Sequence, residues 1–231
     1  GWACSMINAL RAQRLAAAHA PFDAWLYASD VVRNFPWSSW SRVSDAAWAD
    51  DAGHCAAPLL APTGPAAGAN CVFLLPTPYE LEAPPPPPLP PERSEFRDRL
   101  PVVYMRAGYA RHRQRAFALG ARPEHASWLN VSVVGRGVER VAFSEFARYR
   151  YLLDVGGVSG TTWSALRAKL LSGSLVFKVE LEWQDWWHAH LQPFRDYLPV
   201  SVDLSDLHER YAAAATAPAS TSAPTAAAVC V

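Results

Sequence analysis

The hydrophobic positions of the carboxyl-terminal half alternate between two rhythms. Leu100 to Gly108 (LPVVYMRAG) is a continuous apolar run ending in glycine and reads as a strand entering a turn. Ala110 to Ala121 has the composition of a helix, with Gly120 placed to close it as a carboxyl cap. Ser127 to Val134 reads as a further strand. Beyond it the order is regular: RYLLDV (150–155) is strand-like, GGVSG (156–160) a glycine-rich turn, and Thr162 to Ser172 a helix. In that helix Trp163, Leu166 and Leu170 fall on one face. SLVFKV (174–179) then reads as a strand, EWQDWWHAHL (182–191) as a helix and YLPV (197–200) as a strand. Strands alternating with helices predict right-handed crossovers and a parallel sheet.

The amino-terminal half is less periodic. Met6 to Ala20 is rich in Ala, Leu, Arg and Gln and reads as a helix. Phe22 to Asp30 reads as a strand with a polar end, Asn34 to Asn70 as irregular chain, and Cys71 to Pro76 as a short strand stopped by proline. APPPPPLPPE (83–92) is a polyproline II segment, a stiff spacer or a ligand for an SH3-type groove. It is the best boundary between two lobes. The organisation expected is a partial amino-terminal, acceptor-side lobe over 1–83, a proline-rich linker or loop over 84–99 and a Rossmann-like lobe over 100–211. The low-complexity tail, 212–231, is expected to lack structure.

Composition narrows the function classes. Half of the 231 residues are hydrophobic (51%) and 18% are charged, which is a globular balance. Lys+Arg and Asp+Glu are equal at 21 each, so no overall field argues for nucleic acid or an anionic membrane. No apolar run approaches the ~20 residues that span a bilayer. Cys4, Cys55, Cys71 and Cys230 form no CxxC pair, against zinc and thioredoxin-type chemistry. A Cys55–Cys71 bridge would close a short loop in an oxidising compartment, and Asn130-Val131-Ser132 is an N-glycosylation sequon. Both lean towards the secretory pathway. The ten Trp and eight Tyr suit cores, or sites where sugars stack on aromatic faces.

Three places carry candidate chemistry. In an open parallel sheet, ligands bind beyond the carboxyl ends of the strands. The turn after RYLLDV lets backbone approach a ligand at Gly157, and Thr161, Thr162 and Ser164 supply hydroxyls where the next helix begins. Either threonine could instead serve only as the helix cap. Arg167 and Lys169 lie further along, as diphosphate ligands or as a solvated face. The turn is not GxGxxG, so no dinucleotide fingerprint is present. Arg106, Arg111, Arg113 and Arg115 crowd a second junction, where guanidinium forks suit phosphate oxygens or form a basic surface. Asp30, at a strand end, is placed as a general base or as a turn former.

From Ser144 to Leu207 the chain resembles the carboxyl half of glycosyltransferase family 90. That family includes protein O-glucosyltransferases of the Rumi type, KDEL-motif-containing relatives and fungal capsule-associated transferases. The residues that carry the resemblance are Tyr151-Leu152, Gly156-Gly157, Trp163-Ser164, Gly173-Ser174, Val176, Lys178, Trp186-Trp187, Leu191-Gln192-Pro193, Tyr197, Pro199-Val200 and Asp203 to Leu207. Upstream, YMRAGYARHR, CVFLLPTPYE and FDAWLYASDVV are similar to weaker family elements.

The resemblance implies an α/β, GT-B-like fold of Rossmann-type parallel-sheet lobes, with the amino-terminal lobe short or incomplete. It implies inverting, metal-independent transfer of glucose or xylose from a UDP-sugar to a hydroxyl of a protein Ser/Thr or a glycan. No cofactor beyond the donor and no bound metal is then needed, and the location is the endoplasmic reticulum or Golgi lumen, with any anchor in a segment outside this chain. Carried over, Asp30 is the base, and Arg113 or Arg115 faces the diphosphate. The donor pocket takes Arg106, Gly108, Gly157, Thr162, Trp163, Ser164, Arg167 and Lys169. Two departures stand out: Gly108 occupies the place of a hydroxyl in the family's Arg-Gly-Ser triplet, and Arg167 is offset by one residue from the family's Ser-x-Arg. The alternative they leave open is a catalytically inactive module that binds carbohydrate or a nucleotide sugar.

Overall fold

The computed structural model describes residues 25–26, 59–61, 63–65, 72–74, 96–135, 141–157, 160–162 and 164–217. Along them run the strands β1 (Trp25–Leu26), β2 (Leu59–Ala61), β3 (Thr63–Pro65), β4 (Val72–Leu74), β5 (Leu100–Ala107), β6 (Leu129–Val133), β7 (Tyr149–Asp154), β8 (Leu175–Val179), β9 (Trp183–Asp185) and β10 (Leu198–Val200). The helices are α1 (Gln114–Gly120), α2 (Ser164–Leu170) and α3 (Leu207–Thr216). The chain divides into two compact units, Gly1–Pro84 with Glu182–His188, and Pro85–Leu181 with Ala189–Val231.

In the first unit β1, β2 and β4 form a parallel sheet in that order, and β3 pairs antiparallel with β9. β2 and β3 fall inside the stretch read from sequence as irregular. β9 corrects the helix expected over 182–191: Trp183 to Asp185 is strand, followed by a turn and a single 3-10 turn at His188–His190. Trp and His are middling helix formers, and aromatic residues favour strands, so pairing with β3 decides the conformation. The helix expected over Met6–Ala20, all four cysteines, the proline-rich stretch and Asp30 lie outside the described residues.

The second unit holds a five-stranded, all-parallel sheet in the order β10-β8-β7-β5-β6. The chain lays β6 on one side of β5, then returns to lay β7, β8 and β10 on the other. This is an α/β, doubly wound topology whose order reverses between β5 and β7. Alternation along the strands sends Val103, Met105, Leu129, Val131, Tyr151, Leu153, Val155, Phe177, Val179 and Val200 into one apolar core, with Ala116 of α1 and Leu207 of α3. On the opposite face Leu152 and Val176 are buried, as are Leu166 and Leu170 of α2.

Two expectations are corrected. Gly120 lies within α1, and the next residue, Ala121, keeps helical torsions (φ −79°). A Cβ at Gly120 would stand 2.7 Å from both Cβ and the carbonyl oxygen of Val131, so close approach of α1 to β6 selects the glycine, not a left-handed cap. Helix α3 extends to Thr216 and takes in part of the tail expected to be unstructured. Its Tyr211 donates to the Pro101 carbonyl at 2.8 Å. Among the described residues no helix is long and apolar enough to cross a membrane.

Candidate functional site at the strand-order reversal

In doubly wound sheets the ligand crevice lies beyond the carboxyl ends of the strands at the reversal, and here the glycine-bearing loops that follow β5 and β7 both begin at that point. β5 runs out at Ala107 into Gly108, and a 3-10 turn, Arg111–Arg113, leads directly into α1. That junction fixes Arg113. Its Nε donates to the Val155 carbonyl at 3.0 Å and its Nη1 to the Gly108 carbonyl at 2.9 Å. One guanidinium therefore ties the ends of the two strands on either side of the reversal. Burial pushes Arg113 below its ordinary value, and the negative charge of Asp154 partly offsets this.

The β7 loop needs its glycines for space. A Cβ on Gly156 would lie 2.1 Å from the Gly160 carbonyl oxygen and 2.3 Å from a methyl of Leu181. A Cβ on Gly157 would lie 2.8 Å from the Thr161 carbonyl oxygen and 3.4 Å from Nη2 of Arg113. The Gly157 N–H donates to the Thr161 carbonyl at 2.8 Å, the Gly160 N–H returns to the Gly157 carbonyl at 3.1 Å, and Gly160 adopts φ 85°. The loop is thus a closed knot that brings bare backbone beside Arg113. The hydroxyl of Thr161, buried in it, has no partner among the described residues.

Beneath the knot lies a buried ionic pair. Asp154, the last residue of β7, accepts at one oxygen from Lys169 Nζ (2.7 Å) and from the Thr162 hydroxyl (2.8 Å). Lys169 also donates to the Leu153 carbonyl at 3.0 Å. Burial alone would raise the Asp154 carboxyl, but Lys169 and Thr162 outweigh it and hold it below its ordinary value. Burial pushes Lys169 down, with Asp154 opposing. Removing one partner of such a pair typically costs about 3–5 kcal/mol, because the other charge is left buried and alone. With Arg113 added, two cations stand near one carboxylate at these strand ends, a local excess of positive charge suited to an anion.

The structure places most of the sequence candidates. Arg113, Gly108, Gly157 and Thr162 come together at the reversal. Lys169, expected at a diphosphate or on a solvated face, is instead buried against Asp154. Thr162 does not cap α2: its hydroxyl is turned to the same carboxylate. Arg167 is half-buried on α2 and in no ion pair among the described residues. Arg106, on β5, stands with its Cζ 5.7 Å from the centroid of the Tyr104 ring, and its Nε is unpartnered among the described residues. Arg115 is exposed on α1, on the side of Asp203, whose carboxyl is held down by Ser205 first and by Arg115 to a lesser degree. Ser164 opens α2; Trp163 and Asp30 lie outside the described residues. Sequence reading missed Asp154, although its place at the end of an apolar strand, just before Gly156-Gly157, is a readable signal. Among the described residues no group of three or more His, Cys, Asp or Glu side chains is placed to hold a metal ion.

Known proteins are similar to part of this chain. Protein O-glucosyltransferase 1 of Rattus norvegicus is 37% identical over 65 residues, 28% of this chain and 16% of that protein. Protein O-glucosyltransferase 2 of Danio rerio is 38% identical over 81 residues, 34% of this chain and 15% of that protein. O-glucosyltransferase rumi of Drosophila melanogaster is 34% identical over 62 residues, 27% of this chain and 15% of that protein. The matched segments are thus a small part of each relative's length. The model of Glycosyl transferase family 90 matches residues 93–228, more than half of the chain, and the protein belongs to that family.

Proposed function

We propose that this chain carries the donor-binding part of a UDP-sugar-dependent O-glycosyltransferase of GT-B-like architecture. It moves glucose or xylose to the hydroxyl of a protein Ser/Thr or a glycan, within the lumen of the secretory pathway. The observation that carries the reading is Arg113: a guanidinium fixed by the Gly108 and Val155 carbonyls, with Nη2 beside the bare backbone of Gly157, at the point where a doubly wound sheet binds its ligand. Planar guanidinium groups suit phosphate oxygens, and fixed cations stabilise the charge that develops on a departing diphosphate without reorganising.

In the proposed reaction Asp30 takes the proton of the acceptor hydroxyl. The oxygen attacks the anomeric carbon from the face opposite UDP, the glycosidic bond to UDP breaks, and the configuration inverts. Arg113 receives the diphosphate charge, with Arg106 and Arg167 as further candidates. No metal is required if these cations suffice. Asp154 and Lys169 act by holding the Gly156–Thr162 knot and the start of α2 in place.

A thermal-shift panel of nucleotides tests the donor reading, since specific binding raises the melting temperature by mass action. UDP and UDP-glucose are expected to stabilise the protein and ADP is not. Arg113→Gln is expected to weaken UDP by about tenfold to a hundredfold, the range of a lost charge-assisted hydrogen bond. Equal response to UDP and ADP, or to neither, would sink the reading. A transfer assay with Asp30→Asn tests the base: full activity in that variant removes Asp30 from the mechanism. UDP binding without any turnover favours the second reading, an inactive nucleotide-sugar-binding module.

A further inference from the structure

A second buried polar cluster plays no part in the function proposed above. It lies in the first unit, where β9 ends at Asp185 and the following turn carries Trp187 and His188. Asp185 is 0% exposed, and neither of its carboxylate oxygens has a hydrogen-bond partner among the described residues. His188 Nε2 stands 3.3 Å from Asp185 Oδ2. That contact lacks the alignment of a hydrogen bond, so both imidazole nitrogens are unpartnered among the described residues too. The indole Nε1 of Trp187 is the fifth such atom in this one turn. The indole and imidazole rings meet edge to face, with centroids 4.6 Å apart and planes at 88°.

Buried polar groups are nearly always satisfied, and each exception calls for an explanation. Five within four consecutive residues, on three side chains at least nine-tenths buried, describe a site whose hydrogen bonds are meant for something else. We propose that Asp185, Trp187 and His188 bind a pair of adjacent hydroxyls on a sugar ring.

The chemistry of the set selects this ligand. A carboxylate with both oxygens open can accept from two hydroxyls at once. Each hydroxyl also has lone pairs, to which an indole N–H and an imidazole N–H can donate. A mixed set of acceptors and donors thus finds a full complement in a diol. An anion would be repelled by Asp185. An apolar ligand would leave all five atoms unsatisfied. The Trp187 ring, which meets His188 edge to face, adds aromatic surface on which the C–H face of a sugar can pack. Because Asp185 is closed off in this state, the β9 turn must open to admit the ligand, and association is expected to be slower than for a preformed site.

The choice of a sugar rests on the glycosyl-transfer reading, so the test separates the two. Tryptophan fluorescence and calorimetry on the full chain would follow methyl glucoside, methyl xyloside, UDP and UDP-glucose. Asp185→Asn, which keeps the shape of the side chain but turns one acceptor into a donor, is expected to weaken sugar binding about tenfold or more and to leave the Kd for UDP unchanged. If UDP-glucose binds more tightly than UDP and Asp185→Asn erases the difference, the diol belongs to the donor sugar. If a methyl glycoside binds in the presence of saturating UDP-glucose and Asp185→Asn erases that binding, it belongs to an acceptor. Should Asp185→Asn fail to fold, His188→Gln and Trp187→Phe read the same contacts. Unchanged sugar affinity in a folded variant, or no response of the wild-type chain to either glycoside or to the sugar of UDP-glucose, overturns the proposal. Glycoside binding without UDP binding would remove the donor reading and leave this site standing.

Discussion

The two faces of the parallel sheet are made by the same strands, one residue apart, and they are built on different physics. On one face Val103, Met105, Leu153, Val155 and Phe177 pack under α1 and α3 with no charged side chain in the cluster. On the other, Asp154 and Lys169 are buried beside the apolar residues that seat α2, and Arg99 donates to the Ser172 carbonyl and the Ser174 hydroxyl where the chain turns into β8. A close-packed apolar face fixes volume and tolerates rearrangement as long as volume is kept. A directional network fixes angles. The strand ends at the proposed donor site are on the directional side, so the polar face gives up stability to hold loop geometry.

The sharpest way to break this contrast is to remove one charge. Lys169→Met leaves the Asp154 carboxylate buried without its cation, and chemical denaturation should show a loss of about 3–5 kcal/mol. The double variant Asp154→Asn/Lys169→Met should recover much of that loss, because no charge is then left alone. It should still bind UDP more weakly than the wild type, since the knot above the pair has lost its anchor. A single variant as stable as the wild type would show that the pair holds nothing.

The matching change on the apolar face is Leu153→Ala, expected to cost about 2–5 kcal/mol through lost burial and the cavity left behind. Here the backbone carbonyl that accepts from Lys169 is untouched. The UDP affinity of the folded protein should therefore stay at the wild-type value, measured by calorimetry well below the melting temperature. A fall in affinity matching that of the double variant would erase the distinction between the faces.

Much of the apolar face was legible in the sequence, because alternation and short apolar runs report it directly. β5, β7, β8 and β10 fall where the pattern puts them. The polar face was only half legible. Gly156, Gly157 and Thr162 announce a tight loop, and Arg113 a cation near it. Which cation faces the crevice and which is buried beneath it depends on a register between β7 and α2 that sequence does not state. Burial of Lys169 against Asp154, in place of a solvated face, is not readable for that reason, and a carboxylate closing an apolar strand looks like a turn residue. The aromatic stretch at β9 was misread because pairing with β3, distant in sequence, outweighs local propensity.

Gly156→Ala sharpens the comparison at the loop itself. The new methyl would meet backbone at Gly160, which cannot swing aside as a side-chain end can, so the loop must move. The expected cost is about 2–3 kcal/mol, the upper part of the range for overpacking. Unlike Leu153→Ala, it should weaken UDP binding in the folded protein, because Gly157 and Arg113 move with the loop. Retained affinity would mean that the knot can shift without disturbing the crevice.

The smallest change, Thr162→Val, keeps the shape of the side chain and removes one hydrogen bond to Asp154. A loss of about 1.5 kcal/mol is expected at neutral pH, the low end for a bond to a charged group. Its pH dependence identifies the group involved. The folded-state carboxyl of Asp154 is depressed by Lys169 and Thr162 against the effect of burial, so the unfolded chain takes up its proton first. The stabilisation from ionised Asp154 is then complete above about pH 5 and is lost as pH falls through the folded-state value. Without the Thr162 bond that value moves back up, so the variant has less to lose in acid. The gap between wild type and variant should narrow as pH drops below about 4. A gap that stays constant down the acid limb would show that Thr162 stabilises the loop by packing, and that the polar face there is no more directional than the apolar one.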